Sequence, residues 1–445
     1  MTARESRSPG RRALTGQLSG GTRTVVLSAA VVVLTAVALA LAGTTPRQVG
    51  AHVESARRVA PDQRTFVCAG GIPGAEAVHG TVAQGQQPSA TVGDRPTRVA
   101  VDRSDALEAF AGQESRTQDW LAWSPCPEPR ARWWFVGAGA AVVTHDTVLT
   151  LDNPRIGQAD VDIDVYGPDG PVQAPGLHGI TIPSGTSRVV DLAKVAPAVG
   201  DLAVSVVATR GLVAVSAADR FAPGVVGKPA QEWLPSQSVP ATTVTMAGLP
   251  PKPDRAALVV VNPRQVEAIV SVEVIGATGT FAPKQNATLT VPPRSVATTS
   301  LTAVFDGKPV AVRVSSAQPV TATVRTVTAG DVAFATGVRS ITDSTTVAVP
   351  SGAGRLVLSS VGPETAVTVT AFGPRGNQLL QQREAVPAAS SVGVDLPAAT
   401  AYVRMDAEAP GAIAGFSVTD SAGVATAGVV PAIRSVLMAA VAPAW

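Results

Sequence analysis

The chain has 445 residues, enough for three or four domains rather than one. Thirty-five basic and 33 acidic side chains leave a net charge of only +2, which gives no general attraction to nucleic acid. Charged residues make up 15% and aromatics 4%, while Ala, Val, Gly, Pro, Thr and Ser dominate. Val and Thr suit pleated, half-buried surfaces and Gly and Pro suit turns, so the composition points to an all-β chain of short strands.

Residues 1–23 form a basic tail, with Arg4, Arg7, Arg11, Arg12 and Arg23 against Glu5. Residues 24–43 read TVVLSAAVVVLTAVALALAG, an uncharged apolar run. A helix of about 20 residues spans about 30 Å, the thickness of a bilayer's hydrocarbon core. The arginines before it keep that end in the cytoplasm, which sends the rest of the chain outside. The expectation is a single-pass anchor in the cytoplasmic membrane. The competing reading is a cleaved signal peptide, since Ala40-Leu41-Ala42 fits a cleavage site. The apolar run exceeds the usual signal length, which favours the anchor.

Residues 44–130 read as a stalk followed by a loop-rich segment with few alternating runs. Ser104 is a candidate N-cap for a helical turn over residues 104–110. Cys68 and Cys126, the chain's two cysteines, both lie beyond the apolar run. An even count in an exported chain predicts one disulfide. Closing a loop of about 59 residues would stabilise the fold by roughly 4 kcal/mol.

After Arg130 a repeat begins. Residues 148–170 read VLTLDNPRIGQADVDIDVYGPDG, residues 257–279 read ALVVVNPRQVEAIVSVEVIGATG, and residues 355–376 read RLVLSSVGPETAVTVTAFGPRG. Each has an apolar strand, a Pro-containing turn, an alternating strand and a Gly-ended turn. The spacing is about 109 residues from Asn153 to Asn262 and about 98 from Leu258 to Leu356. Val161, Ile163 and Val165 alternate with Asp160, Asp162 and Asp164, so one face of that strand is wet and the other buried. Repeats near 100 residues with several short strands match β-sandwich modules, whereas a propeller blade needs about 40–50. The expected modules are residues 131–248, 249–347 and 348–445.

The order of these parts resembles a family. A basic N-terminus, one helix, a Cys-containing segment, the Trp133-Trp134-Phe135 strand near a Gly-rich turn and L-x-N-P repeats are similar to an uncharacterised family of membrane-anchored actinobacterial proteins. The L-x-N-P pattern also resembles immunoglobulin-like modules of bacterial surface proteins. The first resemblance implies a cell-envelope setting and work alongside envelope glycan assembly; neither supplies catalytic residues.

Candidate sites are sparse. His52, His79, His145 and His178 never pair at metal-ligand spacing and read as surface or loop residues. Asp160, Asp162 and Asp164 share a face, but first and last are about 13 Å apart by strand rise, which favours a solvated face over a cation site. Gly137-Ala138-Gly139 is not followed by a helix pattern and is no dinucleotide loop. Asn286-Ala287-Thr288 is a sequon of the kind chance supplies at this length. Trp120, Trp123, Trp133, Trp134 and Phe135 are the least ordinary cluster. Trp133 and Trp134 point to opposite faces of a strand, leaving one free for exposure. The partner-binding reading falls on Trp133, Trp134 and Phe135, against filling the first module's core. No metal and no cofactor are expected.

The reading that emerges is a non-catalytic envelope protein with tandem immunoglobulin-like β-sandwich modules, binding a partner protein or a wall polymer. The alternative is a glycan-acting envelope enzyme or enzyme subunit.

Overall fold

The computed structural model describes residues 32–34, 54–59, 63–93, 95–102, 108–222, 229–237, 239–352, 354–431 and 436–440. The basic tail, most of the expected anchor and the expected helical turn at Ser104 lie outside the described residues. Of the apolar run, Val32, Val33 and Leu34 are helical, and among the described residues no helix is long and apolar enough to cross a membrane. The chain divides into two compact bodies, residues 1–58 with 437–445, and residues 59–436. In the smaller, Glu54–Val59 pairs with Val436–Ala440.

The larger body is all-β, with every strand pair antiparallel, and consists of four two-sheet units. The fourth is the plainest. One of its sheets runs Ser344–Ala348, Tyr402–Ala407, Thr365–Phe372, Gln378–Val386. The other runs Ser391–Leu396, Gly354–Ser360, Ala412–Thr419, Val424–Gly428. Leu356, Leu358 and Phe416 from one sheet meet Val367, Val369 and Met405 from the other in one core. Alternation places these side chains on the inner faces.

The third unit has the same order, but one 18-residue strand, Ala311–Thr328, serves both sheets. Its first part pairs with Ala241–Met246 and Ala268–Gly276. Its second part pairs with Arg255–Asn262 and Asp331–Thr336. Pro319 sits where it passes between them, outside the registers of both sheets, where its missing N–H interrupts neither ladder. The second unit repeats the order. Arg132–Ala141, Ala198–Arg210 and Ala159–Gly167 form one side, and Ser187–Asp191, His145–Asp152, Ala214–Phe221 and Ala230–Trp233 the other, the two joined into one sheet where Arg132–Ala141 pairs with His145–Asp152 at its end. Val161, Ile163 and Val165 are buried as their alternation requires.

The turn after the first apolar strand of each repeat is held by one side chain. Asn153 donates to the carbonyls of Gly157 (2.8 Å) and Ile182 (3.0 Å) and accepts the Arg155 N–H (3.1 Å). Asn262 does the same with Val266 (2.8 Å), Val291 (3.2 Å) and Arg264 (3.0 Å). Ser360 replaces it in the fourth unit, donating to the Pro363 carbonyl at 2.6 Å and accepting the Gly362 N–H. All three are buried.

Three boundaries differ from the sequence reading. Val436–Ala440, expected in the last module, pairs instead with Glu54–Val59. Ala241–Met246 and Ser344–Ala348 pair with strands of the unit that follows them, not the one before. The apolar strand that ends in an Asn-Pro or Gly-Pro turn is the second strand of the second, third and fourth units, so a module counted from it omits the first strand. Residues 63–125, expected to be loop-rich, instead form the first unit. Gln63–Cys68 pairs with Thr97–Asp102, and Glu76–Thr81, Ala109–Arg116 and Leu121–Pro125 form a second sheet. The short pieces Gly85–Gln86 and Ala90–Thr91 extend it. Its strands are short, and Gly80 and Gly112 interrupt two of them, which blurs their alternation. The disulfide between Cys68 and Cys126 is present, with Cα atoms 4.7 Å apart. It ties the end of this unit's first strand to the residue after its last.

The last strand of each unit faces the same centre. Leu121–Pro125 packs on Ala230–Trp233, which packs on Asp331–Thr336, which packs on Val424–Gly428, which returns to Leu121–Pro125. The four units therefore close a ring. Side chains interlock around it. Leu121 and Trp123 enter the fourth unit's core. Trp233 enters the first unit's, and Val332 and Phe334 enter the second's.

Candidate binding cavity

Two buried carboxylates fasten the ring. Glu232 accepts the backbone N–H groups of Trp123 (2.8 Å) and Trp233 (2.7 Å). Asp331 accepts those of Leu121 (3.0 Å) and Val424 (2.9 Å) on one oxygen and of Val332 (2.9 Å) on the other. Burial pushes the Asp331 carboxyl up to about 7 despite these bonds, and holds Glu232 well above the usual carboxylate range.

At one end of the ring the segments leaving the four inner strands surround a cavity of about 180 Å³. Residues 125–130, 234–236, 336–339 and 427–431 supply its edge. Its walls carry Phe66, Phe110, Trp123, Trp133, Leu234 and Phe416 among others, so all but the third unit contribute aromatic or large apolar groups. The third contributes Thr336, Gly337 and Arg339.

The ionisable groups of this lining are Arg64, Glu128, Arg130 and Arg339. Arg64 grips Glu128 through Nε (3.1 Å) and Nη2 (2.5 Å). Arg130 lies over the Trp133 ring, 3.8 Å from its centroid, and donates to Ser236 Oγ (2.8 Å) and the Gln237 carbonyl (3.3 Å). Its Nε is buried with no hydrogen-bond partner among the described residues, as is the indole N–H of Trp123. Burial, and then repulsion from Arg339, push Arg130 down to about 10, with Glu128 opposing. Arg339 is exposed and has no ion-pair partner among the described residues.

Of the aromatic triplet, Trp133 and Phe135 line the cavity and belong to the second unit's core, 1% exposed each. Trp134 turns the other way and stacks on Tyr166, against Val259 and Val261 of the third unit. The two tryptophans do face opposite sides, but neither is exposed: closing the ring covers the outer face that an isolated sandwich would wet.

The other sequence candidates lie apart. Asp160 is bonded to Gln158 and Thr181, Asp162 accepts the Gly179 N–H at 2.8 Å, and His178 sits 3.9 Å from both Asp162 and Asp164. This is a solvated face, and among the described residues no group of His, Cys, Asp or Glu could hold a metal ion. His145, expected at the surface, is buried. Its Nε2 lies 3.2 Å from Asp219 and its ring packs edge-on against Phe221. Burial alone lowers the pKa of His79. His52 lies outside the described residues. Gly137-Ala138-Gly139 runs within the strand Arg132–Ala141. No local pattern marks Arg130, Arg339, Phe66, Phe110 and Phe416 as neighbours, because they come from separate parts of the chain. The one local cue was the Pro-Glu-Pro-Arg linker at residues 127–130, too polar and too proline-rich to continue a strand.

A model of a family of unknown function, DUF5719, matches residues 72–397, well over half the chain. The chain belongs to DUF5719. The family match runs from the first unit's second sheet into the fourth unit, and so covers most of the ring. No curated protein matches. Among solved structures, a chain described as "Structure of infectious bursal disease virus Gx strain" aligns over 86% of this chain and 76% of its own, at 10% identity and a TM-score of 0.12. A likeness that weak carries no argument about this DUF5719 protein.

Proposed function

We propose that this DUF5719 protein is a non-catalytic binding protein of an actinobacterial cell envelope. Residues 24–43 anchor it as a single-pass helix in the cytoplasmic membrane, with the N-terminus inside and the ring outside. Its units are immunoglobulin-like sandwiches, the first abbreviated, and its partner is an envelope protein or a wall polymer that meets the mouth of the cavity. It works as an accessory to envelope glycan assembly.

The observation that carries this reading is the chemistry of the cavity. Three of its four ionisable residues are arginines, which stay protonated and serve poorly as proton-transfer catalysts. The fourth, Glu128, is occupied by Arg64. Such a lining suits holding a ligand better than transforming one. The disulfide supports an oxidising compartment. The enzyme alternative needs two carboxylates flanking a glycosidic bond, and this lining offers one.

The test is capture by the full chain in lipid nanodiscs, offered purified cell wall in one arm and solubilised membrane proteins in the other. Retention in one arm, weakened at least fivefold by Arg339→Glu, is expected. Retention in neither, or release of sugar from the wall, would overturn the reading. Arg339 is exposed, so its substitution leaves the fold in place.

A further inference from the structure

We propose that the axial cavity binds a small anionic amphiphile, an apolar body the size of one aromatic ring or short branched chain ending in a carboxylate or phosphate. This rests on the cavity being a binding site, but not on the envelope address or on a macromolecular partner.

Size limits the apolar part. A dry apolar cavity of about 150 Å³ accepts a benzene ring, and this one measures about 180 Å³. Phe66, Phe110, Trp133, Leu234 and Phe416 supply walls that gain by excluding water. The polar part is fixed by what the lining lacks. Among the described residues two buried polar atoms of the lining residues have no partner, Arg130 Nε and Trp123 Nε1, and both are donors. A buried donor without an acceptor costs about 1–3 kcal/mol, more when charged. An oxyanion supplies the missing acceptors. It also relieves the repulsion between Arg130 and Arg339, since the one nearby carboxylate, Glu128, is taken by Arg64. Arg130 is already positioned for this. Trp133 supports its flat face and Ser236 and Gln237 hold its terminal nitrogen, while Nε lies buried without an acceptor among the described residues. A preorganised guanidinium of this kind binds carboxylate and phosphate alike.

The experiment is titration calorimetry on the full chain in nanodiscs. Benzoate and 3-methylbutanoate represent carboxylates, phenyl phosphate represents phosphate esters, and benzyl alcohol and inorganic phosphate are the neutral and body-less controls. At least one organic anion should bind saturably with one site per chain, at least tenfold tighter than both controls. Whether the carboxylates or phenyl phosphate bind tighter assigns the head group. Arg130→Gln should weaken binding about tenfold or more, and the exposed Arg339→Gln about fivefold, with circular dichroism unchanged in each. Binding by no anion overturns the proposal, as does benzyl alcohol binding as tightly as the anions or Arg339→Gln leaving affinity unchanged. If no anion binds while capture of wall or partner persists and remains sensitive to Arg339→Glu, this proposal fails and the function proposed above stands.

Discussion

Asp331 accepts the backbone N–H of Leu121 at 3.0 Å across 210 positions of sequence. That single bond spans from the third unit to the first, and the same carboxylate oxygen takes Val424 of the fourth. Replacing Asp331 with Ala leaves the N–H groups of Leu121 and Val424 buried and unpaired. At about 1–3 kcal/mol for each, the variant should lose about 2–6 kcal/mol in a denaturant titration. A loss under 0.5 kcal/mol would mean that the inner strands are held by packing alone.

Protonation of the same residue should make the ring more stable in mild acid. An unfolded Asp331 titrates near 3.8 and the folded one near 7. Between those values the unfolded chain has given up the proton and the folded one has not. Rising pH therefore favours unfolding, by up to about 4 kcal/mol across the window, and the effect is flat above it. Glu232 shifts in the same direction. Asp201 and Asp420, held low against burial by Arg325 and Arg116 respectively, contribute the opposite slope only near and below 3.8, and His79, pushed down by burial, opposes the Asp331 slope around and below 6.5. The melting temperature should be higher at pH 5 than at pH 8, and Asp331→Asn should shrink that difference. An equal melting temperature at both pH values in the unmodified chain would remove the carboxyl from the account.

Reduction of Cys68–Cys126 should destabilise the first unit by roughly 4 kcal/mol if chain entropy dominates. Because Cys126 also lines the cavity, a reducing agent should weaken binding of the organic anions before the ring melts. Calorimetry with and without dithiothreitol checks this, and unchanged affinity in the reduced protein would argue against it.

The Asn-Pro turns make a local prediction. Asn262→Ala removes three side-chain bonds to carbonyls and one to the Arg264 N–H. It should cost about 2–4 kcal/mol, and Asn262→Ser should recover part of it, since Ser360 holds the equivalent turn. Equal losses for Ala and Ser would show that the hydroxyl cannot substitute for the amide in this unit.

Much of the local structure was readable from the residues. The alternation of Val161, Ile163 and Val165 with three aspartates fixed a strand and its inner face, and Asn153 and Asn262 marked where strands end. The ring was not readable. Its inner strands are short, and Asp331–Thr336 is buried on both faces, so no alternation distinguishes it from a loop or a helix turn. The acids Glu232 and Asp331, each next to apolar residues in a short run, are the one local mark of these strands. The cavity was hidden for a related reason: Arg130 and Arg339 are 209 positions apart in number, and only closure brings them together. Trp133 and Trp134 stand out in the sequence by their rarity, although they serve different surfaces.

Closure also sets a timetable for synthesis. Arg116 of the first unit pairs with Asp420 of the fourth, 304 positions later. At ~5–20 residues per second, the ribosome needs ~15–60 s to make that partner after the first unit has emerged. For that interval Leu121 and Trp123, whose core is built by the fourth unit, have nowhere to bury.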